Sequence, residues 1–109
     1  MGKKITFTDD AKADIQEAYD YYEGKKVNLG EEFLDELDET VSNISSNPKM
    51  YAIFYKYVRR AVLNRFPYAI LYVIQQIGVN IFAVFSTYQD DKKFLDRDEA
   101  KNGENETKT

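Results

Sequence analysis

The hydrophobic period of the chain changes after Asn47-Pro48, and this change constrains the fold more than any other feature. Before it, Ala11, Ile15, Ala18, Tyr19 and Tyr22 recur at helical spacing, and Phe33, Leu34, Leu37, Val41 and Ile44 form a second stripe of the same kind. Thr8, Asp9 and Asp10 supply N-cap chemistry for the first helix, and Gly24 is the predicted end of it. The second begins near Gly30 with Glu31 and Glu32 in its first turn, and Asn47-Pro48 stops it. The connection of residues 25–29 is short, so the two helices are predicted to lie antiparallel as a hairpin. Ahead of them, residues 3–8 read as a short strand in which Ile5 and Phe7 alternate with polar neighbours.

From Tyr51 onward the residues are β-branched and aromatic. Ten of the 16 Tyr and Phe lie between Tyr51 and Tyr88, which is strand composition. Three strands are predicted, at about 56–65, 68–76 and 79–87, with Pro67 and Gly78 marking the turns. Tyr68, Ile70, Tyr72 and Ile74 share one face of the middle strand, and Ala69, Leu71 and Val73 share the other. A helix hairpin covers only one face of such a sheet. The other is predicted to be partly exposed, self-paired, or covered by a partner. The expected fold is α+β: an N-terminal strand joins a three-stranded antiparallel meander into an antiparallel sheet, with the helix hairpin on one face. Residues 1–100 form one expected domain, and residues 101–109, which carry no apolar side chain, a disordered polar tail.

Composition narrows the chemistry. The 109 residues are 43% hydrophobic and 31% charged, enough for one core without staples. With no Cys and no His, a Cys/His zinc site, a catalytic triad and an imidazole proton shuttle are excluded. The absence of Cys suits a reducing compartment, no apolar run approaches the ~18 residues of a membrane span, and no signal-peptide core is evident. The expected location is the cytoplasm, with no membrane partner.

The net charge of −4 is unevenly spread. Residues 1–39 carry five Lys against twelve acids, whereas residues 40–89 carry Lys49, Lys56, Arg59, Arg60 and Arg65 and no acid. Arg59, Arg60 and Arg65 are therefore candidates for a cationic working face. Strand alternation puts Arg59 and Arg65 on one side and Arg60 on the other, so one of them is expected to be structural, paired with a helix acid. The run Asp35, Glu36, Asp38, Glu39 reads as a solvated helix face and not as a metal site. Neither a metal nor a cofactor is expected.

Several stretches taken together resemble the RelE/ParE superfamily of toxins from type II toxin–antitoxin systems, on the ParE side. They are Ala11-x-x-Asp14-Ile15 through Tyr21-Tyr22, Leu29-Gly30-x-x-Phe33-Leu34, Ile44 with Asn47-Pro48, and Val58-Arg59-Arg60-Ala61-Val62-Leu63. Arg65-Phe66-Pro67-Tyr68, Ile70 to Tyr72, Ile81 to Phe85, and a reduced end motif from Gln89-Asp90-Asp91 to Arg97 complete the resemblance, which covers about residues 4–97. The family often has His at the position of Ser86 and Arg at that of Gln89. The resemblance implies a toxin that inhibits DNA gyrase by binding and is neutralised by a cognate antitoxin. Arg59, Arg60 and Arg65 would then meet the target, and Tyr68, Tyr72 and Phe85 the antitoxin, or a homodimer would hide the same surface. Two alternatives stand beside it. One is a ribosome-dependent mRNA endonuclease of the RelE type, using Lys56, Arg59, Arg65 and Tyr88, and the other is a non-toxic interaction module of the same fold.

Overall fold

The computed structural model describes residues 2–97, and the expected tail at 101–109 and the expected domain end at residue 100 lie outside them. The order is β1 (Ile5–Phe7), α1 (Asp9–Lys25), α2 (Leu29–Ser46), β2 (Ile53–Tyr55), β3 (Val58–Val62), β4 (Tyr68–Gln75) and β5 (Gly78–Ser86). A 3₁₀ segment, Asp91–Asp96, follows and is called the strap below. No helix among the described residues is long and apolar enough to cross a membrane.

Local chemistry sets the helix ends. The Thr8 hydroxyl accepts the N–H of Ala11 at 3.0 Å, with Asp9 and Asp10 in the first turn. The helix runs through Gly24 to Lys25, so Gly24 is not its end. The Glu23 carboxylate then accepts the N–H groups of Asn28 and Gly30, at 3.1 and 2.9 Å, and ties the interhelix loop down. Gly30 is required where it stands: a Cβ there would lie 2.8 Å from the Tyr19 ring, so α1 and α2 meet closely at this point.

The sheet order is β1-β5-β4-β3-β2. The antiparallel meander of β3, β4 and β5 is as expected, with two differences around it. First, β1 pairs with β5 in parallel (Ile5↔Val79, Phe7↔Ile81), so the sheet is mixed and not wholly antiparallel. The two strands are joined through both helices and the three strands between them and not by a hairpin, so no turn imposes opposite directions. Second, the stretch expected as one strand from residue 56 is two strands, β2 and β3, divided at Lys56, whose φ of 50° is left-handed. Neither glycine nor proline marks that turn.

Helix and sheet meet through Ala18, Tyr22, Phe33, Leu37 and Ile44 against Ala61, Ile70, Tyr72, Ile81 and Val84. On the far face Val58, Ala69, Leu71, Val73, Phe82, Ala83 and Phe85 make a second apolar cluster. The chain covers it with its own strap: Phe94 stacks on Phe85 at 4.6 Å between ring centres, and Phe54 and Leu95 pack beside it. The face expected to be open or partner-covered is thus closed from within. A bulge in β5 helps. The register passes from Leu71↔Ala83 to Tyr72↔Ile81, leaving Phe82 unpaired, so Phe82 and Ala83 both join the far cluster while Val84 returns to the helix side.

Candidate functional site

The strap is fixed at both ends by charge. β1 stops at Phe7, opposite Ile81, so the β5 backbone beyond it has no strand neighbour on that side. There the Val84 N–H donates to Asp14 Oδ2 at 3.0 Å, and Arg97 Nη1 donates to the Phe82 carbonyl at 2.7 Å. Arg97 also holds Asp14 with both terminal nitrogens, at 2.7 and 3.2 Å, while its guanidinium lies over the Phe94 ring. At the other end Asp91 pairs with Arg60 at 3.4 Å. In the sequence Asp14 and Arg97 stand only as parts of the family resemblance, with no role assigned to either. Asp14 carried a signal, because it sits among Ala11, Ile15 and Ala18 on the inward stripe of α1, where a charge needs a partner.

Four of the clefts on the surface of the described residues hold candidate residues or border the strap. One of about 550 Å³ lies between α1, β5 and the strap, with Asp14, Glu17, Tyr21, Tyr68, Lys93 and Arg97 on its walls. A smaller one of about 240 Å³ adjoins it through Tyr21 and Tyr68 and adds Tyr22, Pro67, Ser86 and Tyr88. On the opposite side of the strap, a cleft of about 740 Å³ is lined by Phe54 to Tyr57 together with Lys92, Leu95 and Asp96. The fourth, an acidic depression of about 260 Å³, is formed by Glu32, Asp35, Glu36, Glu39 and Arg65.

The candidate residues are dispersed over this surface. Arg59 is buried, 7% exposed, and Nη1 donates to the carbonyls of Lys49 and Tyr51, at 3.2 and 2.6 Å. It has a structural role, holding carbonyls of the α2–β2 connection, while the pairing with a helix acid expected for one of the three is made by Arg65 with Glu32 of α2. Arg60 points to the far face, toward Asp91. Arg65 lies in the loop beyond β3, not on the strand, and its Nη2 donates to Glu32 at 2.6 Å. That loop is clamped to α2 by Glu36, whose carboxylate accepts the N–H groups of Asn64, Arg65 and Phe66. The Arg65 hydrogen bond holds the Glu32 carboxyl below its ordinary pKa. Tyr72 is fully buried, its hydroxyl donating to the Pro48 carbonyl, and Phe85 is buried beneath the strap. Among the three aromatic candidates only Tyr68 keeps part of its surface, shared by two clefts. Tyr88, 88% exposed, stands near Tyr21 and Tyr22, and Lys56 lines the cleft across the strap. None of the four clefts contains two of Lys56, Arg59, Arg65 and Tyr88. Among the described residues no group of three His, Cys, Asp or Glu is placed to hold a metal ion.

Tyr22 gives the tyrosine groove a pH signature. Burial pushes its phenol up to about 12, and the neighbouring Tyr68, Tyr21 and Tyr88 add to the shift. Burial also raises Tyr68, with Glu17 and Tyr21 contributing. A phenol whose folded pKa lies above its unfolded value stabilises fully below about pH 10, and that contribution is lost as pH rises toward about 12. Tyr22→Phe is therefore expected to flatten the alkaline limb of the stability curve by up to roughly 2 kcal/mol. Urea unfolding of both proteins through this window checks it, and superimposable limbs would contradict it.

Comparison with curated proteins finds no match. Among solved structures, the chromosomal ParDE TA system from P. aeruginosa contains a similar chain, with a TM-score of 0.66 and 18% sequence identity. The match covers 77% of this chain and 95% of that one, and the likeness is one of fold. The sequence profile described as the ParE toxin of the type II toxin-antitoxin system, parDE, matches residues 5–91, from β1 to the start of the strap. The chain belongs to the ParE toxin family of type II toxin–antitoxin systems.

Proposed function

We propose that this chain is a cytoplasmic toxin that acts by binding DNA gyrase and is neutralised by a cognate antitoxin. The observation that carries the binding mode is the dispersal of the would-be nuclease residues. RNA cleavage by 2′-hydroxyl attack needs a proton acceptor, a proton donor and cations gathered at one phosphate. Here Arg59 is turned inward, Arg65 is held by Glu32, and Lys56 and Tyr88 line different clefts. There is no His in the chain. Arg65 is the most accessible of the three arginines and is the one assigned to the target. The groove of Tyr21, Tyr68 and Tyr88 is assigned to the antitoxin, since two exposed tyrosines and a half-buried one at a concave surface suit a partner protein.

Purified protein assayed for gyrase supercoiling and for ribosome-dependent mRNA cleavage tests the reading. Supercoiling is expected to be inhibited, and restored by an equimolar amount of the antitoxin encoded beside the toxin gene. Tyr88→Phe should leave inhibition intact, because no proton transfer depends on the phenol. Arg65→Glu should weaken it by about tenfold, the equivalent of one lost charge contact of ~1.4 kcal/mol. Ribosome-dependent cleavage abolished by Tyr88→Phe would replace this reading with the nuclease one. Inactivity in both assays with antitoxin binding retained would replace it with the interaction module.

A further inference from the structure

The cleft of about 740 Å³ on the strap's other side is lined by none of the residues assigned above to the target or the antitoxin. Phe54 and Leu95 form its inner wall, with Tyr55 and Tyr57 beside them, so its lining is mainly apolar. Two exposed lysines stand on its rim, one from each side. Lys56 comes from the β2–β3 turn in a left-handed conformation, which is unfavourable for a residue other than glycine and persists only where its surroundings enforce it. Its ammonium lies 5.3 Å from the centre of the Tyr55 ring. Lys92 comes from the first turn of the strap, where its N–H donates to Asp90 Oδ1 at 3.0 Å and fixes the backbone from which the side chain projects. Asp96 is the single acid on the lining, and residues 40–89 contribute none.

We propose that this cleft binds an acidic linear segment of a partner protein. One apolar side chain of the segment seats between Phe54 and Leu95, and flanking carboxylates meet Lys56 and Lys92. The charges favour this occupant. Two cations at the mouth of an apolar cleft suit a peptide with few acids around one anchor. A nucleic acid strand would need more phosphate contacts, whereas Arg59 is turned inward, Arg60 faces Asp91, and the chain as a whole is negative. The most acidic surface of a second copy, α2, is a poor match, because its outward acids are not interrupted by exposed apolar anchors.

The test is an NMR titration of the full chain with three probes. These are a short synthetic peptide of glutamates around one central phenylalanine, the matched lysine peptide, and a uridine oligonucleotide of equal length. The glutamate peptide is expected to shift the Phe54, Tyr55 and Leu95 resonances, and Lys56→Glu with Lys92→Glu to weaken its binding at least about tenfold. Both lysines are exposed, so the fold should persist, and the milder Lys56→Gln with Lys92→Gln should weaken binding in the same direction. The lysine peptide is expected to prefer the reversed variant. Equal affinity for the original and reversed chains would overturn the proposal. So would shifts confined to the Tyr21–Tyr88 groove, tighter binding of the oligonucleotide, or shifts that follow protein concentration alone.

Discussion

Asp14→Ala is expected to destabilise the chain by about 3 kcal/mol, the lower end of the range for breaking a buried ion pair from one side. The substitution leaves two groups short at once. Arg97 loses a bidentate partner at 2.7 and 3.2 Å, and the Val84 N–H loses its acceptor. The two side chains are only 15% and 21% exposed, so water replaces Asp14 poorly. Asp10, 3.9 Å from Arg97 Nε and well exposed, recovers part of the charge and keeps the loss toward the lower end. In a domain of this size about 3 kcal/mol lowers the melting temperature by roughly 15 °C. Asp14→Asn, which keeps an acceptor for Val84, should cost about half as much. The effect should also be local in hydrogen exchange, with amides of Phe82 to Ser86 and of the strap losing protection before those of β4. A loss below ~1 kcal/mol would mean that the strap is held by Phe94 packing alone.

This clamp shows where a sequence stops being legible. The helices were readable because their caps and stripes are local: Thr8 caps α1, and Asn47-Pro48 ends α2. The meander was readable for a similar reason, since Pro67 and Gly78 punctuate it. Alternation also separated Arg59 from Arg60 correctly, Arg59 falling on the side of Ala61 and Arg60 on that of Val58. Alternation failed for Arg65, because β3 ends at Val62 and the phase of a strand does not continue into a loop. β2 was hidden because a lysine, and not a glycine, takes the left-handed turn residue. The covering of the far face depends on contacts between residues distant in sequence. Phe94 and Leu95 stand out as an apolar pair in a charged stretch, yet nothing local says that they fold back over Phe85. The pairing of Asp14 with Arg97 spans 83 positions and is invisible to any periodic pattern. The candidate site suffers most from this, since a cleft is assembled from elements whose relative placement periodicity does not encode.

Phe33→Ala is expected to have the largest effect of any single change considered, about 4 kcal/mol. Phe33 is fully buried on α2, and its ring centre lies 5.5 Å from Tyr22, 5.5 Å from Phe66 and 5.2 Å from Tyr68. It therefore joins α1, the β3–β4 loop and β4 at one point. Truncation removes the transfer energy of a benzyl group and leaves a cavity that three separate elements would have to move to fill. The contacts with Phe66 and Tyr68 are close to edge-on, which adds of order 1 kcal/mol beyond area alone. Phe33→Leu keeps most of the volume and should cost roughly 1.5 kcal/mol. Urea unfolding measures both, and a loss near ~1.5 kcal/mol for Phe33→Ala would show that the loop and helices collapse onto the gap. The comparison also separates packing from recognition. The same ring supports the loop that carries Arg65 and the wall that carries Tyr68, so Phe33→Ala should loosen both surfaces. Arg65→Glu, by contrast, should affect target binding with little change in stability, because Arg65 is more than half exposed and its pairing with Glu32 is screened by solvent.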